Sequence, residues 1–398
     1  MAYISVREAA AAWGVSERLV QRYCAQGRIA GARKFGVSWE IPAGTPKPAD
    51  PRAGLPEAAG LTADASESAR RAHPGLLPLM NSAFLPGGCR ACIAAMPEGP
   101  QREIAQAEYW YFSGRAAEAA EAAGRQLNSP EMDVQLSACL LYAYANLTLG
   151  QIALARRALD EIRRRLHAAG SSRELRAAEA FVSTTASVLL HLPMPEGLPP
   201  AEEYLPLLPP GLRAFALYVR AHARYLQKSY DRSIGLVDAT LSMGAEAYPI
   251  PAIYLHLVAV MSHMSLREPE PAERHLLAAW ALAQPDDLIE GFGEHHGLLG
   301  GMLERVIKPG YPEDFKRIIA ITCRFSAGWR RVHKQDTGRD VADNLTTTEF
   351  ATAMLAARGW TNQEIADHMG ISPNTVKQYI STTLQKLNIK QRKDLKQY

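Results

Sequence analysis

Between Leu76 and Val341 nearly every apolar stretch recurs at helical spacing, and alternating β-branched runs are almost absent. A segment of that length with a single period closes only by packing helix on helix, since no strand pairs are on offer to cover its apolar stripes. Residues 76–340 are therefore expected to be all-α. Upstream, residues 43–75 are rich in Pro, Ala and Gly without a sustained apolar period, and read as a linker. This leaves two smaller segments, 1–42 and 341–398, as domains at the ends. With 47% hydrophobic and 21% charged residues the composition is that of a soluble globular protein, which excludes wholesale disorder. Arg7 and Glu8 stand where a signal peptide needs apolar residues, and no run is long enough to span a bilayer. Five cysteines, an odd number, fit reduced thiols. The expectation is a cytoplasmic protein with no membrane partner.

Within the helical middle a repeat is visible. Gly114, Gly150, Lys228 and Arg267 fall on one turn position, and Ala119, Ala155, Ser233 and Ala272 each follow five residues later. The turn positions are 36, 78 and 39 residues apart, so one unit between Gly150 and Lys228 is degenerate or interrupted by the Pro-rich stretch His191 to Pro210. This pattern resembles tetratricopeptide repeats, in which small residues let paired helices approach and stacked pairs share a core. The resemblance implies a face that takes a peptide or small-molecule effector. Tyr109, Trp110, Tyr142 and Tyr144 are candidates for that face, although aromatic residues at helical spacing are more often core.

Charge is distributed unevenly. Residues 1–52 carry eight Lys and Arg against four acids, and residues 345–398 carry seven against four, so in a chain of net charge +3 the remainder is net −4. Two basic ends on an acidic middle suit ends that meet phosphate.

In the C-terminal segment Ile365, Ala366, Met369, Ile371, Val376, Ile380, Leu384 and Leu387 mark two amphipathic helices joined at Gly370, where a left-handed residue bends one into the other. Ser372 is placed as an N-cap and Pro373 at the first helical position. A helix capped there presents Asn374, Thr375, Lys377, Gln378 and Ser381 outward near its start, where a recognition helix meets base edges. Leu345-Thr346, Glu349, Gly359, Asn362, Glu364-Ile365-Ala366, Ser372, Thr375-Val376-Lys377, Lys386-Leu387 and Arg392 together resemble the LuxR-type (GerE-type) helix-turn-helix of bacterial transcription regulators, with departures at Thr348 and Tyr379. The resemblance implies double-stranded DNA as partner, and RNA polymerase as a second one. It places Lys377, Gln378 and Ser381 in the major groove, and Thr361, Asn362, Thr375, Lys386, Lys390 and Arg392 at phosphates. LuxR-type domains usually pair through a fourth helix. Here only Gln391 to Tyr398 remain, so a homodimer is expected through the helical middle or two half-sites on DNA.

At the other end Ser5-Val6-Arg7-Glu8 is a capping box opening a short helix with Ala9, Ala10 and Trp13 inward. Gly14 turns into a second helix capped by Ser16, with Val20 and Tyr23 inward, ending at Gly27-Arg28-Ile29. Residues 33–42 alternate around Gly36 as a small β wing would. The arrangement resembles the winged helix of excisionases and MerR-type domains. It implies Ser16, Glu17, Arg18, Gln21 and Arg22 along a recognition helix, and Arg33, Lys34 and Ser38 on the wing.

The expected fold class is thus mainly α, with helix-turn-helix domains at both ends, the first bearing a small β wing, flanking a helical repeat domain. Cys89 and Cys92 have half a zinc-site spacing without a second pair, and Glu294-His295-His296, His256 and His263 have nothing to gather them, so no metal is expected. Neither a phosphate-binding GxxxxGK[ST] loop nor a GxSxG nucleophile is present. No catalytic residue or cofactor is expected, and the function read is that of a non-enzymatic DNA-binding transcription regulator. The alternative is a helical-repeat adaptor whose terminal modules bind proteins.

Overall fold

A computed structural model describes residues 3–25, 29, 31–35, 38–47, 75–168, 173–189, 194, 196–337 and 345–397. The expected linker thus lies outside the described residues from 48 to 74, as do Gly27, Arg28, Gly36 and the boundary near 341. The chain forms two compact units, Met1–Glu67 and Ser68–Tyr398.

In the first unit, α1 (Val6–Trp13) begins at a reciprocal capping box: the Ser5 N–H donates to Glu8 Oε2 at 2.8 Å, and the Glu8 N–H to Ser5 Oγ at 3.2 Å. Gly14, at φ 64°, turns the chain into α2 (Glu17–Ala25). Strands β2 (Arg33–Phe35) and β3 (Ser38–Pro42) pair antiparallel, and the other edge of β3 takes β1 (Tyr3–Ser5), giving the order β1-β3-β2. Strand β1 carried no readable signal in the sequence, because three residues are too few to show a period. Val6, Ala9, Ala10, Val20, Tyr23, Cys24, Ile29 and Ile41 form the core of this unit.

Among its described residues the second unit contains helices and turns and no strand. It contains α3 (Cys89–Ala95), α4 (Pro100–Phe112), α5 (Ala116–Arg125), α6 (Met132–Thr148), α7 (Ile152–Ala168), α8 (Arg173–Leu189), α9 (Ala201–Tyr204), α10 (Pro210–Leu226), α11 (Tyr230–Ser242), α12 (Pro249–Leu266), α13 (Pro269–Ala283), α14 (Glu290–His295) and α15 (Pro312–Thr337). Helices α4/α5, α6/α7, α10/α11 and α12/α13 pack as consecutive pairs. Their four turns are alike. Gly114, Gly150, Lys228 and Arg267 have φ of 79°, 73°, 60° and 66°. In each, the next residue's N–H reaches back five residues: Arg115 to Trp110 O, Gln151 to Asn146 O, Ser229 to Arg224 O and Glu268 to His263 O, at 2.7–2.9 Å. This left-handed stop satisfies carbonyls at the end of the first helix. Ala119, Ala155, Ser233 and Ala272 are all fully buried where the second helix meets the first. Between the second and third of these pairs, α8 packs on α10, and α9 with the turn Leu205–Leu207 packs on α8. Helix α12 is long and apolar enough to cross a membrane, but 83% of it is buried inside the protein, as befits a central core helix.

The segment leading into the helices is pinned by Glu108, whose carboxylate accepts from the Leu79 and Met80 N–H groups at 2.9 and 3.0 Å. Burial pushes its carboxyl up to about 8, against the pull of those two hydrogen bonds.

The C-terminal helices α16 (Thr347–Ala357), α17 (Asn362–Met369) and α18 (Pro373–Lys386) end in a 3₁₀ turn, Arg392–Gln397. They are built onto the body rather than tethered beside it. Leu355, Ala356, Trp360, Ile365 and Val376 belong to one continuous core with Leu299, Met302 and Leu303. A Cβ at Gly297 would lie 1.9 Å from the Phe350 ring, so only glycine lets α16 settle there. Arg358 donates to Leu298 O at 2.7 Å and to Tyr225 Oη at 3.2 Å. His368 Nε2 meets Gly300 O at 2.9 Å and its Nδ1 meets Arg305 Nη1 at 3.2 Å. Because a carbonyl only accepts, Nε2 carries the proton and Nδ1 accepts from the guanidinium. Arg267, from the last αL turn, pairs with Glu364, and its guanidinium lies 5.8 Å over the Trp360 ring.

Candidate nucleic-acid interface

Each helix of the C-terminal segment starts at a side-chain cap. Thr346 with Glu349 and Thr361 with Glu364 form reciprocal capping boxes, and Ser372 Oγ accepts from the Thr375 N–H at 3.0 Å. Pro373 follows at the first helical position, where its missing N–H is no loss. Gly370, at φ 66°, makes the turn between α17 and α18. Val376, Ile380 and Thr383 point α18 into the core, so register alone leaves Asn374, Lys377, Gln378 and Ser381 on the opposite, exposed face. Thr375 is half-buried, its hydroxyl 2.8 Å from Ser372 Oγ.

The residues expected at phosphates fall into two groups. Lys390 and Thr361 are exposed, Thr361 as the cap of α17. Lys386 instead donates to Glu349 Oε2 at 2.7 Å, tying the end of α18 to the start of α16. Burial works upward on the Glu349 carboxyl, but Lys386 and the bonds at Thr346 together hold it below its usual range. Arg392 donates to Asn362 Oδ1 and to Trp360 O, clamping the final turn against the entry to α17, and its burial lowers the guanidinium pKa. Asn362, half-buried, is thus the acceptor of an internal bond. These three side chains brace the helices that present the exposed row.

Residues 343–398 match the family model of the bacterial regulatory proteins of the luxR family. This segment is a LuxR-type helix-turn-helix domain, and it makes the chain a DNA-binding transcription regulator whose partner is double-stranded DNA. No curated protein matches the chain. In the LuxR-type domain the exposed row lies on the helix that begins after the left-handed turn. The contacts to the helical body fall on α16, Trp360 and the far side of α17.

In the first unit Ser16, Glu17 and Gln21 are exposed on or at the start of α2, while the side chains of Arg18, Arg22 and Ser38 lie outside the described residues. Lys34 is exposed, and Arg33 pairs with Glu40 at 2.9 Å while lying 4.0 Å over the Tyr3 ring. The sequence reading missed Arg267, Arg305, Arg358 and His368 as parts of the joint between body and LuxR-type domain. Arg267 alone left a trace, as a large side chain on a turn position that favours glycine.

Proposed function

We propose that the chain reads a specific DNA sequence with Lys377 and Gln378, flanked by Asn374 and Ser381, and that the helical body governs how the LuxR-type domain is presented. The single observation that carries this reading is the exposed polar row on α18, in a domain where Lys386, Arg392 and Asn362 are spent on bracing the helices that present it. Lysine donates to guanine O6 or N7, and glutamine pairs with adenine N6 and N7. Lys390 and Thr361 meet phosphates. The four like turns support a tetratricopeptide-like body, and the shared core supports its role as sensor, since a rearrangement of α12 or the 296–303 segment moves the surface on which α16 sits. The first unit, with its helix pair opened by a capping box and its three-stranded sheet, is a winged-helix module adding a second DNA contact. The protein works in the cytoplasm, where RNA polymerase is a further partner.

Selection of bound duplexes from a random pool, repeated with variants, tests the reading. Lys377→Ala and Gln378→Ala each relax preference at one base position by about 1–3 kcal/mol, while Lys390→Ala weakens all sequences alike. Unchanged preference in both of the first two variants overturns the assignment of the reading face.

A further inference from the structure

On α14, Glu290 and Glu294 lie one helical turn apart, and the first helices of three pairs converge on them. Tyr111 of α4 donates to Glu294 Oε1 at 2.6 Å and Tyr254 of α12 to Glu294 Oε2 at 2.8 Å. Glu290 is 0% exposed and neither of its oxygens has a hydrogen-bond partner. The buried hydroxyls of Tyr144 and Thr148, on α6, also lack one. Thr148 stands beside the Glu290 carboxyl outside hydrogen-bond geometry. Among the described residues no Lys, Arg or His forms an ion pair with either carboxylate. Arg324 of α15 influences Glu290 through space and gives a hydrogen bond to Gly114 O at 3.0 Å. Aromatic rings wall the cluster: Tyr111 and Tyr144 are 6.5 Å apart by ring centroid, and Tyr218 and Tyr254 are 5.2 Å apart. Glu294 and Tyr144 are half-buried, while Tyr111, Thr148, Tyr254 and Glu290 are buried.

Two like charges one turn apart repel and a buried carboxylate is costly to ionise, so burial and the Glu294 charge push the Glu290 carboxyl well above its usual range, opposed by Arg324 and Thr148. The orphaned atoms define what would relieve it. Two carboxylate oxygens and two hydroxyl oxygens accept hydrogen bonds, and the surrounding tyrosine faces attract a cation. A primary ammonium brings one positive charge and three donors. A hard metal ion fits poorly, because it asks for six or more oxygens and both Glu294 oxygens already accept tyrosine protons. We propose that the tyrosine-walled Glu290–Glu294 pair is a binding site for a primary alkylammonium group, the effector chemistry of the helical body. The site rests on the reading of that body as sensor.

Calorimetric titration of the full chain tests it with butylammonium, its neutral isostere butanol, tetramethylammonium, and N-acetyl-lysine amide. Saturable binding of butylammonium is expected, with none for butanol and weaker binding for tetramethylammonium, which has no donors. Lysine amide binding as well as butylammonium would identify a peptide side chain as the source, and its exclusion would identify a free amine. Glu290→Gln and Glu294→Gln each lower affinity at least about tenfold, and Tyr144→Phe lowers it less. If a glutamine variant fails to fold, Tyr144→Phe carries the comparison. No saturable heat from butylammonium, or equal affinity in the variants that fold, overturns the site. Duplex binding by the same preparations separates the outcomes: amine binding absent with DNA binding intact refutes this site alone.

Discussion

Helices α1 and α2 near one end of the chain and α17 and α18 near the other are joined through Gly14 and Gly370, at φ 64° and 66°. In both turns the residue after the glycine returns its N–H five residues back, Val15 to Ala10 O and Ile371 to Ala366 O, each at 3.0 Å. Both first helices open on a capping box, and both segments are basic. The tertiary outcomes differ. In the first unit the helices close over a core of eight side chains, Tyr23 and, from β3, Ile41 among them. In the LuxR-type domain the equivalent residues run into the core of the helical body through Leu355 and Trp360. One local recipe therefore yields a module with its own sheet to cover its apolar face, and another that uses a neighbouring helical surface. A helix pair this small buries too little area to stand without such a cover.

Core truncation should show the contrast most strongly. Ile41→Ala and Leu355→Ala each remove a fully buried branched side chain, and each is expected to cost about 3 kcal/mol. Amide exchange then tells the regions apart. Ile41→Ala should raise exchange within residues 3–42, whereas Leu355→Ala should raise it both in 346–370 and in 296–307. Protection at 296–307 unchanged by Leu355→Ala would break the case for a shared core.

A smaller effect is expected from Gly297→Val, which drives a branched side chain into Phe350 and should cost about 2 kcal/mol. Its mark is faster proteolysis within 345–370 with α12 still protected. Smaller again are the caps. Ser5→Ala and Thr361→Ala each remove a hydroxyl accepting an N–H of the first turn, and each should lower stability by about 1 kcal/mol in denaturant melts. Equal costs would show that the two ends share local physics even where tertiary surroundings part them.

The least effect is expected from pH. Burial lowers the pKa of His368, assisted by Arg305 and opposed by the bond to Gly300 O and by Glu304 and Glu273. A base whose folded pKa is depressed contributes its full stability above the unfolded value of about 6.5 and loses it as pH falls from there toward the folded value. Exchange at 360–370 should rise over that window. His368→Gln should flatten the profile, and an unaltered profile would assign the change to other groups, such as His256, whose burial lowers its pKa to about 4.

What the sequence determined by itself is local. Helical spacing, the Ser5, Thr361 and Ser372 caps, the glycine turns, and even the turn positions held by Lys228 and Arg267 depend on residues within about five of one another, so their signals survive in a linear reading. The exposed row on α18 is of this kind, since one buried face fixes the other. Tertiary structure decided whatever joins distant residues. Strand β1 exists because β3 offers it an edge, and Lys386 and Arg392 turn inward because Glu349, Asn362 and Trp360 wait there. Glu364 meets Arg267 across 97 positions, and Glu294 meets Tyr111 across 183. No period or spacing records such partners, because a side chain's charge and shape say what it needs, and only the packing of whole helices brings a partner within reach.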